Sequence, residues 1–206
     1  MVAPLPLAPG VSLWREYFAR EQQAKLVNTV FERAQSAPFY RPLMPRSEKP
    51  FSVEETNFGD LGWLSEKSGY RYSPAHPLTT APWPAIPDTL LALWQAIAGY
   101  PHAPQCCLVN LYRPGAKMGA HQDRDEAELD APVISVSLGD SARFRFGGTT
   151  RQGPTQSVQL CSGDVLKFGG PARRMFHGID RLIPASSRLV PGGGRINLTL
   201  RRVTKP

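Results

Sequence analysis

Three residues in the second half of the chain have the types and spacing of a metal site. One residue separates His121 from Asp123, so in an extended chain both side chains point to the same face. His177 follows later, in the segment Met-Phe-His-Gly-Ile. Two imidazoles and one carboxylate on one face of a metal leave positions open for a substrate and dioxygen, as in non-heme Fe(II) oxygenases. The alternatives are a structural His177 in the core and a solvated acidic loop over residues 119–130.

Strict alternation of polar and apolar residues marks the segment 195–201. Its apolar side chains fall on one face of a strand, and the other face carries Arg195, Asn197, Thr199 and Arg201. The segment 108–113 alternates in the same way, with Asn110 and Tyr112 on its polar face. Such strands are either edge strands with a wet face or barrel strands lining a pocket, where two guanidinium groups would bind the carboxylates of a small diacid.

Short strands are expected to position these residues. After Tyr100, six segments rich in β-forming residues are separated by Gly, Pro, Asp or Ser, namely 106–113, 133–138, 142–147, 157–161, 165–168 and 195–203. Six short strands with turns between them indicate a sandwich, barrel or jelly roll. Before Tyr100, the patterns predict helices over 16–34 and 88–98, the second capped by Asp88, with irregular chain over 40–60 and a loop-rich lid or short hairpin over 63–87.

The charge is distributed unevenly along the 206 residues, whose formal net charge is +7. Residues 1–140 hold 12 Lys and Arg against 15 Asp and Glu, a balance of −3. Residues 141–206 hold 12 against 2, a balance of +10. This asymmetry favours a polyanionic partner, most simply nucleic acid.

The three cysteines bear on the compartment. Cys106 and Cys107 are adjacent and Cys161 stands alone, so neither a disulfide framework nor a CxxC spacing is available. The N-terminus lacks the basic start of a secretory signal, and no apolar run reaches the roughly 18 residues that a spanning helix needs. We expect a soluble, cytoplasmic monomer.

The order of the motifs is more specific than any one of them. The segment 110–126 with Asn110, Tyr112, His121 and Asp123, the strand before Gly139, the Phe-Arg-Phe-Gly-Gly of 144–148, His177-Gly178 and the Arg195–Arg201 strand together resemble the AlkB family of Fe(II)- and 2-oxoglutarate-dependent nucleic-acid dealkylases. The resemblance spans about residues 58–203. It implies an α+β fold with a mainly β core, a double-stranded β-helix or jelly roll, with flanking N-terminal helices and a nucleotide-recognition lid.

The resemblance also implies roles for individual residues. Iron would be bound by His121, Asp123 and His177. 2-Oxoglutarate would be held by Asn110, Tyr112, Arg195, Asn197 and Arg201. The substrate would contact Trp63, Tyr70, Asp125 and Arg151, although Trp63 also fits a core position and Asp125 also fits a plain acidic run. Phe168 departs from the pattern, because bacterial members often have Trp there, and this bears on oxygen entry or lid packing.

The activity implied is oxidative demethylation of 1-methyladenine and 3-methylcytosine in DNA, with RNA as a second substrate class, releasing formaldehyde and succinate in direct repair of alkylation damage. A flipped base would reach the iron, at a cost that is smaller for a lesion that cannot pair. Two other classes remain open: a 2-oxoglutarate oxygenase acting on protein or a small molecule, and a nucleic-acid-binding module without catalysis. We expect one domain over 1–206, with an N-terminal helical segment (1–50), the lid and a flanking helix (51–99) and the catalytic core (100–206).

Overall fold

The computed structural model describes residues 3–206, in which two facing antiparallel sheets form a jelly roll. The helices are α1 (Arg20–Arg33) and α2 (Asp88–Ile97). The strands are β1 (Leu5–Ala8), β2 (Val11–Trp14), β3 (Glu54–Phe58), β4 (Gly62–Glu66), β5 (Gly69–Ser73), β6 (Cys106–Tyr112), β7 (Met118–His121), β8 (Val133–Gly139), β9 (Ala142–Gly147), β10 (Thr155–Leu160), β11 (Val165–Phe168), β12 (His177–Leu182) and β13 (Arg195–Arg201).

Strand β13 lies inside the larger sheet and not at its edge. That sheet has seven strands in the order β1-β2-β11-β8-β13-β6-β3, and the smaller sheet has four in the order β10-β9-β12-β7. Strand β13 pairs with β8 on one side and β6 on the other, and Asn197, Thr199 and Arg201 of its polar face line the cavity between the sheets. The interpretation of the Arg195–Arg201 segment as a barrel strand lining a pocket is therefore confirmed.

The two faces of the larger sheet contribute to different parts of the core. On the outer face, Val109, Ile196 and Leu198 pack with the apolar sides of α1 and α2. On the inner face, residues such as Tyr112 pack against Phe144 of the smaller sheet. Burial on both faces explains why every residue of β6 and β13 is buried. The interior between the sheets is consequently the only place where the polar residues of these strands can meet.

The predicted elements agree with the structure at the six expected strands of the core and differ elsewhere. Strand β3 replaces the irregular chain expected over 40–60, and β1, β2, β7 and β12 were not expected either. The segment expected to form a lid or a short hairpin contains the hairpin β4–β5. Helix α2 begins at Asp88 with Pro87 as its N-cap, so Asp88 is the first helical residue and not the cap. No helix among the described residues is long and apolar enough to cross a bilayer.

Candidate metal and substrate site

Both histidines of the predicted triad sit on the smaller sheet, on neighbouring strands. His121 ends β7 and His177 begins β12, and the two residues are partners in the ladder, with ring centroids 4.4 Å apart. Gly178 permits this approach, because a Cβ there would lie 2.6 Å from the Met118 carbonyl oxygen. Asp123 follows two residues after β7, and one ligand atom from each member of the triad lies within 4.8 Å of the other two.

The hydrogen bonds of the two imidazoles leave one nitrogen of each free for a metal. Nδ1 of His121 lies 2.9 Å from the Gly119 carbonyl oxygen, and Nδ1 of His177 lies 3.1 Å from that of Met175. A carbonyl oxygen only accepts, so both Nδ1 atoms carry the proton and both Nε2 atoms present a lone pair. Burial, together with His121, lowers the pKa of His177 to about 4, which keeps it neutral at neutral pH.

Arg201 holds the carboxylate of Asp123 in place. Its Nη2 lies 3.0 Å from Oδ1 of Asp123, whereas Oδ2 is buried without a partner. Burial alone would raise the pKa of Asp123, but Arg201 and the two histidines lower it below its ordinary value. An ionised carboxylate with one oxygen unpartnered, beside two free imidazole nitrogens, fits a divalent cation with open positions.

A second arginine lies at the other end of β13, roughly 20 Å of strand from Arg201. Arg195 is fully buried, and its Nη2 donates to Ser137 Oγ and Asn197 Oδ1, each at 2.9 Å. Its Nε and Nη1 have no partner, and the guanidinium carbon lies 5.3 Å from the centroid of the Tyr112 ring. Because an unpaired buried cation is costly, the free nitrogens fit one carboxylate of a diacid.

The triad lies in a cavity with a volume of about 490 Å³, and two aromatic residues of the lid form its exposed wall. Trp63 and Tyr70 stack with ring centroids 5.0 Å apart and an interplanar angle of 29°. Nε1 of Trp63 donates to Oδ2 of Asp125 at 2.9 Å. Arg151 also lines the cavity, with its guanidinium 5.8 Å from the ring centroid of Phe176. The wall therefore offers a planar aromatic surface beside a carboxylate.

Comparison with known proteins matches this site to one family. Residues 10–201 match the 2OG-Fe(II) oxygenase superfamily. The chain is 53% identical over 201 residues to the alpha-ketoglutarate-dependent dioxygenase AlkB homolog of Caulobacter vibrioides, covering 97% of this chain and 90% of that one. It is 42% identical over 204 residues to alpha-ketoglutarate-dependent dioxygenase AlkB of Escherichia coli, covering 97% and 93%. The chain belongs to the AlkB family.

The solved structure of OsALKBH1 has the same fold as this AlkB-family chain, with a TM-score of 0.82, 28% identity and coverage of 97% of this chain and 100% of that one. The protein is accordingly an Fe(II)- and 2-oxoglutarate-dependent dioxygenase. The triad and the unpartnered nitrogens of Arg195 fit these two cofactors on geometry alone.

All the residues that the sequence singled out for the AlkB site line one cavity except Arg195, which is buried behind its wall beside Tyr112. Trp63 is half-buried on the cavity wall, so it is not a core tryptophan. Arg201 faces the triad and pairs with acidic side chains of the protein itself. Phe168 is buried and lies 4.9 Å from the ring of His177 between centroids, so the departure from Trp falls directly beside the triad.

Three residues of the site were missed from the sequence: the buried Glu126 and Arg173 and the partly buried Tyr72. Arg173 donates to the Asp123 carbonyl oxygen at 2.7 Å and to Oε2 of Glu126 at 3.0 Å. Tyr72 of the lid donates to Oε1 of Glu126, whose carboxylate also lies 3.6 Å from Nε of Arg201. Glu126 thereby links the lid to the triad. Its position in an acidic run gave no signal that distinguished it from its neighbours.

Proposed function

We propose that this enzyme oxidatively demethylates 1-methyladenine and 3-methylcytosine in DNA, with RNA as a second substrate, and that it directly repairs alkylation damage. The observation that carries the proposal is the pair of Trp63 and Asp125, joined by a 2.9 Å hydrogen bond on the wall of a cavity that contains the triad. Both methylated bases are planar cations at neutral pH. An aromatic face beside a carboxylate is suited to such a ligand.

We assign the metal and cofactor contacts as follows. His121, Asp123 and His177 would hold iron, the two histidines through Nε2 and Asp123 through its carboxylate. Arg195, with Tyr112 beside it, would bind the distal carboxylate of 2-oxoglutarate through its unpartnered nitrogens. The remaining contacts would come from Asn197, Arg201 and the Nδ2 of Asn110, and all three residues line the cavity.

The residues of the chain carry out the steps that surround the oxidation. Iron and 2-oxoglutarate, when bound, would let dioxygen convert the N-methyl group to a hydroxymethyl group; one oxygen atom of dioxygen would enter that group, the other would enter succinate, and carbon dioxide would be released. Trp63 and Tyr70 would orient the flipped base, and Asp125 would stabilise its positive charge. The hydroxymethyl adduct then breaks its carbon–nitrogen bond: the electron pair returns to the ring nitrogen, the hydroxyl proton goes to water, and formaldehyde leaves. The base becomes neutral, so its attraction to Asp125 weakens and product release is favoured.

The phosphates would be bound by exposed arginines near the cavity, of which Arg124 and Arg151 line it. The basic last third contributes less than its net charge implies, because Arg173, Arg195 and Arg201 are buried. Affinity for an oligonucleotide should still fall as salt concentration rises, since each neutralised phosphate releases counterions.

A formaldehyde assay tests the proposal. Purified enzyme with Fe(II), 2-oxoglutarate and an oligonucleotide containing 3-methylcytosine should release formaldehyde, and His121→Ala and Asp123→Ala should abolish the release. A panel of single-stranded DNA, duplex DNA and RNA then ranks the substrates. Succinate formation without formaldehyde from any methylated oligonucleotide would point to a protein or small-molecule substrate. Binding of oligonucleotides without turnover of 2-oxoglutarate would indicate a binding module.

We further propose that the enzyme acts as a monomer in the cytoplasm. All three cysteines are free thiols, and Cys106 and Cys107 are buried, as suits a reducing compartment. Light scattering of the purified protein tests the monomer, and fractionation of the source cells tests the compartment.

A further inference from the structure

A buried carboxyl group in the cavity has no role in the site described so far. Glu55 of β3 is opposite Asn110 of β6, which is opposite Asn197 of β13, so the three side chains share the inner face of the larger sheet. Glu55 is 1% exposed and lines the cavity with Trp63 and Asp125. Its backbone is fixed by hydrogen bonds in both directions with Tyr40, at 2.8 and 3.0 Å.

Glu55 Oε2 is buried without a hydrogen-bond partner, and so is Oδ1 of Asn110 on the neighbouring strand. Two adjacent unpaired oxygens inside a cavity are costly unless a ligand supplies donors. Arg201 is the cation whose charge acts on Glu55, and its guanidinium is already paired with Asp123 and Glu126. The protein itself therefore leaves this acceptor pair unsatisfied.

Neither cofactor matches the pair. 2-Oxoglutarate carries carboxylates and a ketone, which only accept hydrogen bonds, so it complements Arg195 and neither Oδ1 of Asn110 nor an ionised Glu55. The metal would lie at the triad, and Glu55 is not among the described residues whose ligand atoms cluster there within 4.8 Å. The remaining ligand is the base. The exocyclic amino group of a methylated adenine or cytosine offers two N–H donors and carries part of the positive charge of the base.

We propose that Glu55 is a specificity-determining residue that, with Asn110, binds the cationic amino edge of the methylated base and discriminates against neutral methylated bases. This inference rests on the proposed function and adds a second carboxylate to Asp125, placed deeper in the cavity. A neutral lesion with a carbonyl oxygen at the same edge would set an acceptor against Oδ1 of Asn110, and it would not draw Glu55 into its ionised form, so it would gain no charge-assisted hydrogen bond. Burial raises the pKa of Glu55 to about 8, so a cationic base also favours its ionised form.

The test compares two lesions that differ only at this edge. Oligonucleotides of one sequence carry either 3-methylcytosine, a cation with an amino group, or 3-methylthymine, a neutral base with a carbonyl. The ratio of kcat/KM for the two is measured by formaldehyde release for the wild type, Glu55→Gln and Glu54→Gln. Glu54 is the matched control, because it precedes Glu55 on the same strand with its side chain paired to Arg41. Glu55→Gln should lower the ratio at least about tenfold, the loss expected when a charge-assisted hydrogen bond becomes neutral.

A second readout is the affinity of the iron-free protein for the same two oligonucleotides, by fluorescence anisotropy, which should change in the same direction. An unchanged ratio in Glu55→Gln, an equal loss on both lesions, or a raised KM for 2-oxoglutarate with unchanged selectivity would each overturn the role of Glu55. If the wild-type enzyme releases no formaldehyde from either oligonucleotide, the proposed function fails and this inference fails with it.

Discussion

Nη2 of Arg201 lies 3.0 Å from Oδ1 of Asp123, and the other carboxylate oxygen of Asp123 is buried and free. The arginine therefore does two things for a metal site: it keeps Asp123 ionised, and it fixes the carboxylate beside His121, whose Nε2 lies 3.7 Å from the same Oδ1. A side chain that orients a ligand in this way commonly contributes 10- to 100-fold to metal affinity.

Arg201→Lys should accordingly weaken metal binding about 10- to 100-fold. Lysine keeps the charge but loses the planar geometry that reaches Asp123 and Glu126 together. Zinc or anaerobic Fe(II) titration by calorimetry measures the effect. Arg202→Lys is the control, because the neighbouring Arg202 bonds only to backbone carbonyls outside the site. Equal affinity in both variants would show that Arg201 does not orient the ligand.

Arg195→Met should lower the affinity for 2-oxoglutarate by about 100-fold or more, the value of two charge-assisted hydrogen bonds. The affinity of Arg195→Lys for 2-oxoglutarate should lie between those of the wild type and Arg195→Met, since lysine keeps the charge but cannot form two parallel hydrogen bonds to a carboxylate. Calorimetry on zinc-loaded protein measures binding without turnover, and exposed Arg188→Met serves as the control. Full affinity in Arg195→Met would place the cofactor carboxylate elsewhere.

Gly178→Ala should destabilise the fold by about 1–3 kcal/mol and weaken metal binding, because its Cβ would meet the Met118 carbonyl oxygen at 2.6 Å and push β12 from β7. Gly119→Ala is a close control on the partner strand, where an added Cβ meets nothing within 4 Å. Thermal unfolding and zinc titration report the two effects. Matching behaviour of the two variants would refute this account of how the histidines are brought together.

Trp63→Ala should raise KM for a methylated oligonucleotide about 5- to 150-fold, corresponding to the roughly 1–3 kcal/mol of one base–aromatic stack. The affinity for 2-oxoglutarate should stay near that of the wild type. Trp63→Phe keeps an aromatic face and removes the Nε1–H donated to Asp125, so its KM should lie between those of the wild type and Trp63→Ala. Equal losses for oligonucleotide and 2-oxoglutarate would mean that Trp63 acts through the structure of the lid.

Glu55 should make the stability of the metal-free protein depend on pH. Burial raises its pKa from 4.5 to about 8, so between these values the unfolded chain ionises this carboxyl while the folded chain keeps it protonated. The stability that this group contributes is full below pH 4.5 and is lost as pH rises through about 8. Of the groups that face it, Arg201 opposes the shift, and Tyr40 and Tyr112 have raised pKa values and stay neutral.

Glu55→Gln mimics the protonated form, so its Tm should match the wild type near pH 4.5 and exceed it by a growing margin up to pH 9. Differential scanning calorimetry across this range, with Glu54→Gln alongside, gives the comparison. A Tm difference that does not change with pH would contradict a buried, protonated Glu55.

The central strands could be predicted from the sequence because polar and apolar residues alternate along them. In β13 the apolar Ile196 and Leu198 point to the helices, and Arg195 and Asn197 point to the interior, so the alternation was visible and its meaning was confirmed by the neighbours of the strand. Strand β3 could not be predicted in this way. Its sequence Glu-Glu-Thr-Asn-Phe buries Glu55 in the cavity and Asn57 against the backbone of Trp63, so the rule that buried positions are apolar fails there.

The candidate triad and the arginines of β13 were evident from residue type and spacing, because metal ligands and diacid-binding groups belong to few residue types. The side chains that support the triad were not evident from the sequence. Tyr72, Glu126 and Arg173 come from three separate segments and meet only in the folded chain. Which oxygen of a carboxylate remains free is likewise a property of packing, and it has no counterpart in the order of residues.

Arg173 also has a consequence for how the enzyme meets its substrate. Its guanidinium donates to the carbonyl oxygens of Asp123 and Ala131 and to the side chain of Glu126, so one buried group ties both ends and the middle of the loop that carries Asp125. A loop ordered in advance costs no conformational entropy when ligand arrives. The substrate therefore meets a base-recognition loop that is already in place, and the buried charge of Arg173 serves this loop and not the phosphates.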